Sequence, residues 1–340
     1  MLESGYLKKL FARHTGGLVL AFHDIDPQRF EALVDSLWAL RPVHLDEIVS
    51  RSLRGKTNAG LYSITVDDGV GQTVRNIIPV LEARQWPASF YLPTRYIDTG
   101  QGMMFQLLRK LVVHLPSSVI SLSSRQLDLR HAGAAAEFVQ VMESSLHTQQ
   151  QEACRPLVEE LTEWIIQERG VPREALAPPR PITWDEVSRY GRNELVHFES
   201  HGVSHDAMSA LDETRLRDEM KTSRDLVTEH TGRTCRHLAY PYGSHRSIGT
   251  LARRLAREFY SSAVTMTLGY ADGADPWMLP RIPFYGENSV LRARMKVALK
   301  GMRFRENHAL LSCEQSLAGN AEVKFLPQDT DLSQPDDSIQ

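Results

Sequence analysis

The sequence predicts an α/β fold, a mostly parallel sheet or barrel with its chemistry at one end. Short apolar, β-prone runs alternate with segments of helical period, at residues 17–22, 61–66, 88–92, 194–198, 237–240 and 259–264. That rhythm is the signature of repeated β/α units. Several of the runs end in carboxylates or histidines, and in such folds active sites gather at strand C-termini. No Pro/Ser/Gly linker divides two apolar-rich halves, so a single large domain with an insertion is expected.

Taken in order, residues 1–16 form an N-terminal extension carrying Lys8, Lys9, Arg13 and His14, with no apolar run ahead of a small-residue cleavage site. No stretch approaches the roughly 20 apolar residues needed to span a bilayer, and a cytoplasmic protein is expected. The barrel occupies 17–319. Between about 96 and 181 the strand rhythm stops, and 134–169 is rich in Ala, Glu, Gln and Leu at helical spacing, which predicts a helical insertion. Thr183 with Glu186 forms a capping box ahead of Val187, and Ser209 with Asp212 forms a second. Residues 289–305 place Arg292, Arg294, Lys296, Lys300, Arg303 and Arg305 beside Leu291, Met295, Leu299 and Met302. This predicts a basic amphipathic helix, suited to packing on the barrel or to peripheral contact with anionic lipid or a lipid-linked sugar. The acidic, polar tail at 320–340 lacks the large apolar residues that would offset its ordering entropy, so disorder is expected there.

With 42% apolar and 24% charged side chains in 340 residues, the chain can bury a large core without disulfides. A net charge of -3 excludes the strong basic excess of a nucleic-acid binder. Cys154, Cys235 and Cys313 are odd in number, match no zinc or redox spacing, and read as core or surface thiols.

Four segments carry chemistry. Leu61 to Val66 runs into Asp67-Asp68-Gly69, and adjacent carboxylates at a strand end repel unless a cation or separate roles divide them. His201 and His205 lie four apart after a strand. Two imidazoles and one carboxylate make the three-ligand, open-position set of catalytic zinc, and the same set serves non-haem Fe(II) oxygenases. Pro241-Tyr242-Gly243 is a turn after a strand that can aim a backbone N–H at a developing oxyanion. The first strand ends in His23-Asp24. His197, His237 and His245 lie near these motifs without an obvious task.

In this order the segments resemble the polysaccharide deacetylases of carbohydrate esterase family four, over roughly 18–284. Thr65-Val-Asp-Asp-Gly69 is similar to that family's Thr-Phe-Asp-Asp-Gly, and Ser200 to His205 to its Ser-His-x-x-x-His motif. Thr183-Trp-Asp-Glu-Val187, Thr231-Gly232 and Tyr240-Pro-Tyr-Gly243 stand in the matching places. The resemblance implies a distorted (β/α)7 barrel and a zinc-like divalent ion held by Asp68, His201 and His205. It also implies Asp67 as general base and the Tyr242 backbone as part of the oxyanion hole. Three departures stand out. Ala239 occupies the place of an arginine that orients the base, and Arg281 in Leu279-Pro-Arg-Ile282 is the candidate substitute. No Leu-x-x-His appears near Leu279, so the acid histidine is missing from its usual home. Relatives of permuted type, such as the poly-N-acetylglucosamine deacetylases, carry it on the first strand, and His23 looks like that residue, with Asp24 fixing its tautomer. Glu199 stands where glycine is common and is expected to crowd or tune the site.

The activity implied is metal-dependent removal of N-acetyl groups from amino sugars of a polysaccharide or glycoconjugate precursor. Competing readings are a carbohydrate-binding protein that keeps the metal but not turnover, and a lipid-linked amino-sugar deformylase. An Fe(II) oxygenase fits the ligand types but not the surrounding motifs.

Overall fold

The computed structural model describes residues 16–122, 126–131, 133–147, 151–298 and 325–326. By contacts the chain divides into two compact units, the first comprising Met1–Met103, Leu146–Gln151 and Pro178–Arg305, the second Met104–Ser145, Glu152–Ala177 and Glu306–Gln340.

The first unit is built on a parallel sheet. Strands β1 (Leu18–Phe22), β2 (Arg41–Pro42), β3 (Leu61–Val66) and β4 (Ala88–Leu92) come first; β7 (Val196–Ser200), β8 (His237–Ala239), β9 (Ser262–Val264) and β10 (Ile282–Pro283) follow the second unit's β5 (Val119–Ser121) and β6 (Gln126–Asp128). The order is β10-β1-β3-β4-β7-β8-β9, with β2 beside β3. Every pairing in it is parallel. A parallel bridge from Val264 to Leu279 joins β9 to the chain entering β10, so the curled sheet meets itself as a distorted seven-stranded barrel. Both faces are covered, which is why β1, β3 and β4 read as unbroken buried runs. Alternate residues face opposite ways. Leu18, Leu20 and Phe22 join the core that also holds Phe30, Val74 and Ile77 from flanking helices, whereas Val19, Tyr91, Ala239, Val264 and Leu279 belong to a separate, smaller cluster.

Each expected strand forms, although residues 245–259 are helical and the last begins only at Ser262. The capping box at Thr183 is present: its hydroxyl accepts from the Glu186 N–H while the Glu186 carboxylate accepts from the Thr183 N–H. The second expected box is corrected. Ser209 lies in a 3-10 turn and Asp212 itself caps the helix Glu213–Thr231, accepting from the Arg215 N–H.

The second unit contains helices Met104–Val112, Ala134–Leu146, Arg173–Leu176 and the body of Gln151–Arg169, with Leu108, Leu111, Phe138, Leu161 and Ile165 buried. The stretch expected to be wholly helical also carries the antiparallel pair β5 and β6. Of the 320–340 tail, Phe325–Leu326 pair with β6 as β11, and the remainder lies outside the described residues. So do residues 1–15 and Cys313. Cys154 and Cys235 are buried free thiols.

The basic helix spans Val290–Ala298, and residues 299–305 lie outside the described residues. Its packed face, Ala293 and Val297, is not the one expected. Leu291 and Met295 are exposed, whereas Lys296 is buried, donating to the Pro283 carbonyl and Asn288 Oδ1. No described helix is long and apolar enough to cross a membrane.

Candidate active site

Three strand ends supply the site. Asp67 and His201 are the first residues past β3 and β7, and each extends a strand pairing by one hydrogen bond: Asp67 N–H to Phe22 O at 2.9 Å, His201 N–H to Leu92 O at 3.0 Å. At Asp68 the backbone turns left-handed (φ 74°), so two neighbouring carboxylates diverge and serve different partners.

Asp68 Oδ1 lies 3.7 Å from His201 Nε2 and 3.7 Å from His205 Nε2, with all three side chains buried. This is too long for hydrogen bonds. It is close to the roughly 3.3 Å between ligand atoms of a tetrahedral ion with bonds of about 2.0–2.1 Å. The three ligand atoms lie within 4.8 Å of one another, and among the described residues no other such group occurs. His201 Nδ1 is 2.7 Å from the Ala239 carbonyl, a bond that puts its proton there and turns the Nε2 lone pair inward. Burial, then the neighbouring His201 charge, pushes His205 down to about 3, so its imidazole is in the neutral, ligating form. Burial pushes the Asp68 carboxyl up, but the imidazoles around it, His201 first, outweigh it and hold it well below the usual range. The donor set therefore fits a divalent cation.

Asp67 accepts two bonds of 2.7 Å from Arg281, which also donates to the Thr265 carbonyl at 2.8 Å and to Thr65 Oγ1 at 3.1 Å. Arg281 is fully buried. Desolvation raises the Asp67 carboxyl, and the Arg281 charge and hydrogen bonds overcome it, leaving the group ionised. His23 Nε2 sits 3.8 Å from Asp67 Oδ2, with 32% of its side chain exposed.

Of the four non-glycine residues with positive φ among the described residues, three are here: Asp68, His205 (58°) and Tyr242 (60°). Each such conformation costs on the order of 1–3 kcal/mol. At the Tyr242 turn, Gly243 is also left-handed, and a Cβ there would lie 2.5 Å from the Met266 nitrogen, so the turn requires glycine. The Tyr242 ring packs edge-on against His205 at 4.8 Å.

The structure thus brings together Asp67, Asp68, His201, His205, Arg281 and His23, with Tyr242 against His205. It does not bring Asp24 to its expected task. The exposed Asp24 carboxylate accepts from Thr73 Oγ1 at 2.6 Å, and His23 Nδ1 is buried without a hydrogen-bond partner. Glu199 neither crowds nor tunes the ligands. Its buried carboxylate accepts from the Arg236 and His237 N–H groups at 2.7 and 2.8 Å, anchoring the start of β8. His237 and His197 lie near Asp46, and His245 opens a helix.

Sequence reasoning missed Glu219. Its buried carboxylate accepts from the Val203 and Ser204 N–H groups at 2.6 and 3.0 Å and so braces the ligand loop. The signal was a carboxylate within the buried stripe Leu216, Met220, Ser223 and Val227.

A curled parallel barrel with an Asp-His-His cluster and a buried Arg-Asp pair at its strand ends defines a hydrolase-type β/α barrel. The sequence pattern of the polysaccharide deacetylase family matches residues 54–259, more than half of the chain. The chain belongs to that family, and it is a carbohydrate deacetylase. Asp67, Asp68, His201, His205 and Tyr242 fall inside the matched stretch, His23 and Arg281 outside it. Comparison with curated proteins found no match. Among solved structures the fold is similar to the Streptococcus pyogenes deacetylase PplD, at TM-score 0.55 and 14% identity over 83% of this chain and 98% of that one. It is also similar to IcaB from Ammonifex degensii, at 0.52 and 16% over 84% and 97%. A third is the de-N-acetylase from Aggregatibacter actinomycetemcomitans, at 0.50 and 16% over 82% and 99%.

Proposed function

We propose that the chain removes N-acetyl groups from amino sugars of a polysaccharide or glycoconjugate precursor, using a divalent cation held by Asp68, His201 and His205. The observation that carries this is the position of Asp67, pinned by Arg281, approached by His23, and adjacent in sequence to the proposed ligand Asp68.

An amide resists hydrolysis because its carbonyl is a weak electrophile and its amine a poor leaving group. A zinc-like ion, when bound, supplies a Lewis acid that polarises the carbonyl and lowers the pKa of water from about 16 towards 7. Asp67, kept ionised by Arg281, is free to take the attacking water's proton. The Tyr242 N–H donates to the oxyanion as it develops. His23, partly exposed towards solvent, delivers a proton to the departing nitrogen, the first-strand position of the permuted relatives. The two catalytic departures from the family pattern are then answered within the chain. Arg281 stands in for the arginine absent at Ala239, and His23 for the missing Leu-x-x-His. These substitutions favour turnover over the binding-only reading. The name of the Aggregatibacter de-N-acetylase supports acetyl over formyl.

Acetate release from N-acetylglucosamine oligomers, with and without added zinc, tests the proposal. Zinc-dependent acetate is expected. Formate release from N-formyl sugars alone would favour the deformylase, and absence of any acyl release from zinc-loaded protein would favour the binder.

A further inference from the structure

The loop carrying His205 is braced from a second direction by Gln151, which opens the helix Gln151–Arg169, belongs to the barrel's compact unit and is 5% exposed. Its Nε2 donates to the Ser204 carbonyl at 2.8 Å and the His205 carbonyl at 3.0 Å. Its Oε1 accepts from the Tyr96 hydroxyl at 2.9 Å, and its backbone N–H donates to Asp206 Oδ1 at 2.9 Å. Both amide hydrogens are used, and a flipped amide would set Oε1 against two carbonyl oxygens, so the network admits one orientation.

We infer that Gln151 is a positioning residue that holds the ligand His205 in its left-handed conformation and thereby sets the affinity of the cation site. The inference rests on the metal reading above and adds to it a residue outside every motif of the site. His205 adopts φ 58°, which a non-glycine residue keeps only when its surroundings enforce it. Glu219 fixes the N–H groups of Val203 and Ser204, and Gln151 fixes the carbonyls of Ser204 and His205, so the peptides on both sides of His205 are tied. With either set released, the loop relaxes and Nε2 leaves its place 3.7 Å from Asp68 Oδ1.

Gln151→Glu is the sharpest variant, since a carboxylate has nearly the same shape and no hydrogen to give either carbonyl. Tyr96→Phe is the milder one, removing the hydroxyl that orients the amide and that also reaches the Ser204 carbonyl at 3.2 Å. On folded apo protein, zinc affinity is read by competition with a chelator, and the geometry by the visible absorption of the cobalt(II) form. Gln151→Glu is expected to bind zinc about 10 to 100 times more weakly, the usual cost of losing an outer-shell partner, with altered cobalt bands. Tyr96→Phe should lose on the order of threefold, a fraction of that range. A merely structural role would leave affinity and spectrum of the folded protein unchanged, and that result in Gln151→Glu overturns the inference. If Gln151→Glu does not fold, unchanged affinity and spectrum in Tyr96→Phe overturn it equally. Wild type binding zinc through Asp68, shown by loss in Asp68→Asn, keeps the metal reading intact whatever Gln151 does. Wild type taking up no zinc overturns both.

Discussion

Arg281 and Asp67 lie 214 positions apart and meet through two parallel hydrogen bonds of 2.7 Å in a buried setting. Fork-to-carboxylate pairing of this kind fixes orientation as well as charge. Removing the cation leaves a buried carboxylate uncompensated, which typically costs about 3–5 kcal/mol. Arg281→Met should therefore be strongly destabilised. Its Asp67 pKa should rise, because the largest influence opposing burial is then gone, and the acid limb of kcat/KM should move to higher pH. Arg281→Lys keeps the charge without the fork and should show a smaller shift in the same direction. A pH profile of Arg281→Lys identical to wild type would remove Asp67 from the acid limb.

The ligand and base roles separate by mutation. Asp68→Ala and His205→Ala should each abolish zinc retention on gel filtration. Asp67→Asn should retain zinc and lose about 10²- to 10⁴-fold in kcat, the range for a general base. Metal content by atomic absorption, measured beside turnover, checks both. Zinc loss in Asp67→Asn would mean that the two adjacent carboxylates share one task.

His23 stands 3.8 Å from Asp67 and is the proposed acid. His23→Ala should keep zinc and lose about 10²-fold or more in kcat. Asp24→Ala should keep near wild-type kcat, since Asp24 bonds Thr73 rather than the imidazole. Near-full activity in His23→Ala would end the acid assignment.

Much of this was legible in the sequence, and for physical reasons. A strand covered on both faces reads as a largely apolar run, so β1, β3 and β4 stand out, and His23 and Asp67 sit directly where β1 and β3 stop. The gap at Ala239 points to Arg281, and the structure sets Arg281 against Asp67 because the chain entering β10 lies beside β9 and β1. Asp24 and Lys296 went wrong for a common reason: spacing says which residues are neighbours along the chain, not which partner a short side chain finds across the fold. Asp24 finds Thr73, and Lys296 finds Pro283 and Asn288. Glu219 and Gln151 act by hydrogen bonds to backbone groups far away in sequence, and such bonds leave no periodic trace.

A last prediction concerns stability, away from the ligand cluster. His197 stacks on His44 with ring centres 3.9 Å apart and planes 10° apart. Burial, then the His44 charge, pushes His197 down to about 4, against the pull of Asp46 at 3.8 Å, and burial lowers His44 as well. Arg233 opposes protonation of both rings, and His237 that of His197. An unfolded histidine titrates near 6.5. Between 6.5 and about 4 the unfolded chain therefore takes up a proton that the folded His197 refuses, so its contribution is complete above 6.5 and falls away as the pH drops through that window, by up to about 3 kcal/mol. His237 works in the opposite sense, because the nearby Glu199 and Asp46 outweigh its burial and raise it, so only a variant comparison isolates His197. His197→Phe preserves the stack and removes the titration. Urea unfolding at pH 7.5, 6 and 5 should show a shallower loss of stability in the variant than in wild type, and parallel curves would show that the paired rings do not govern the acid response.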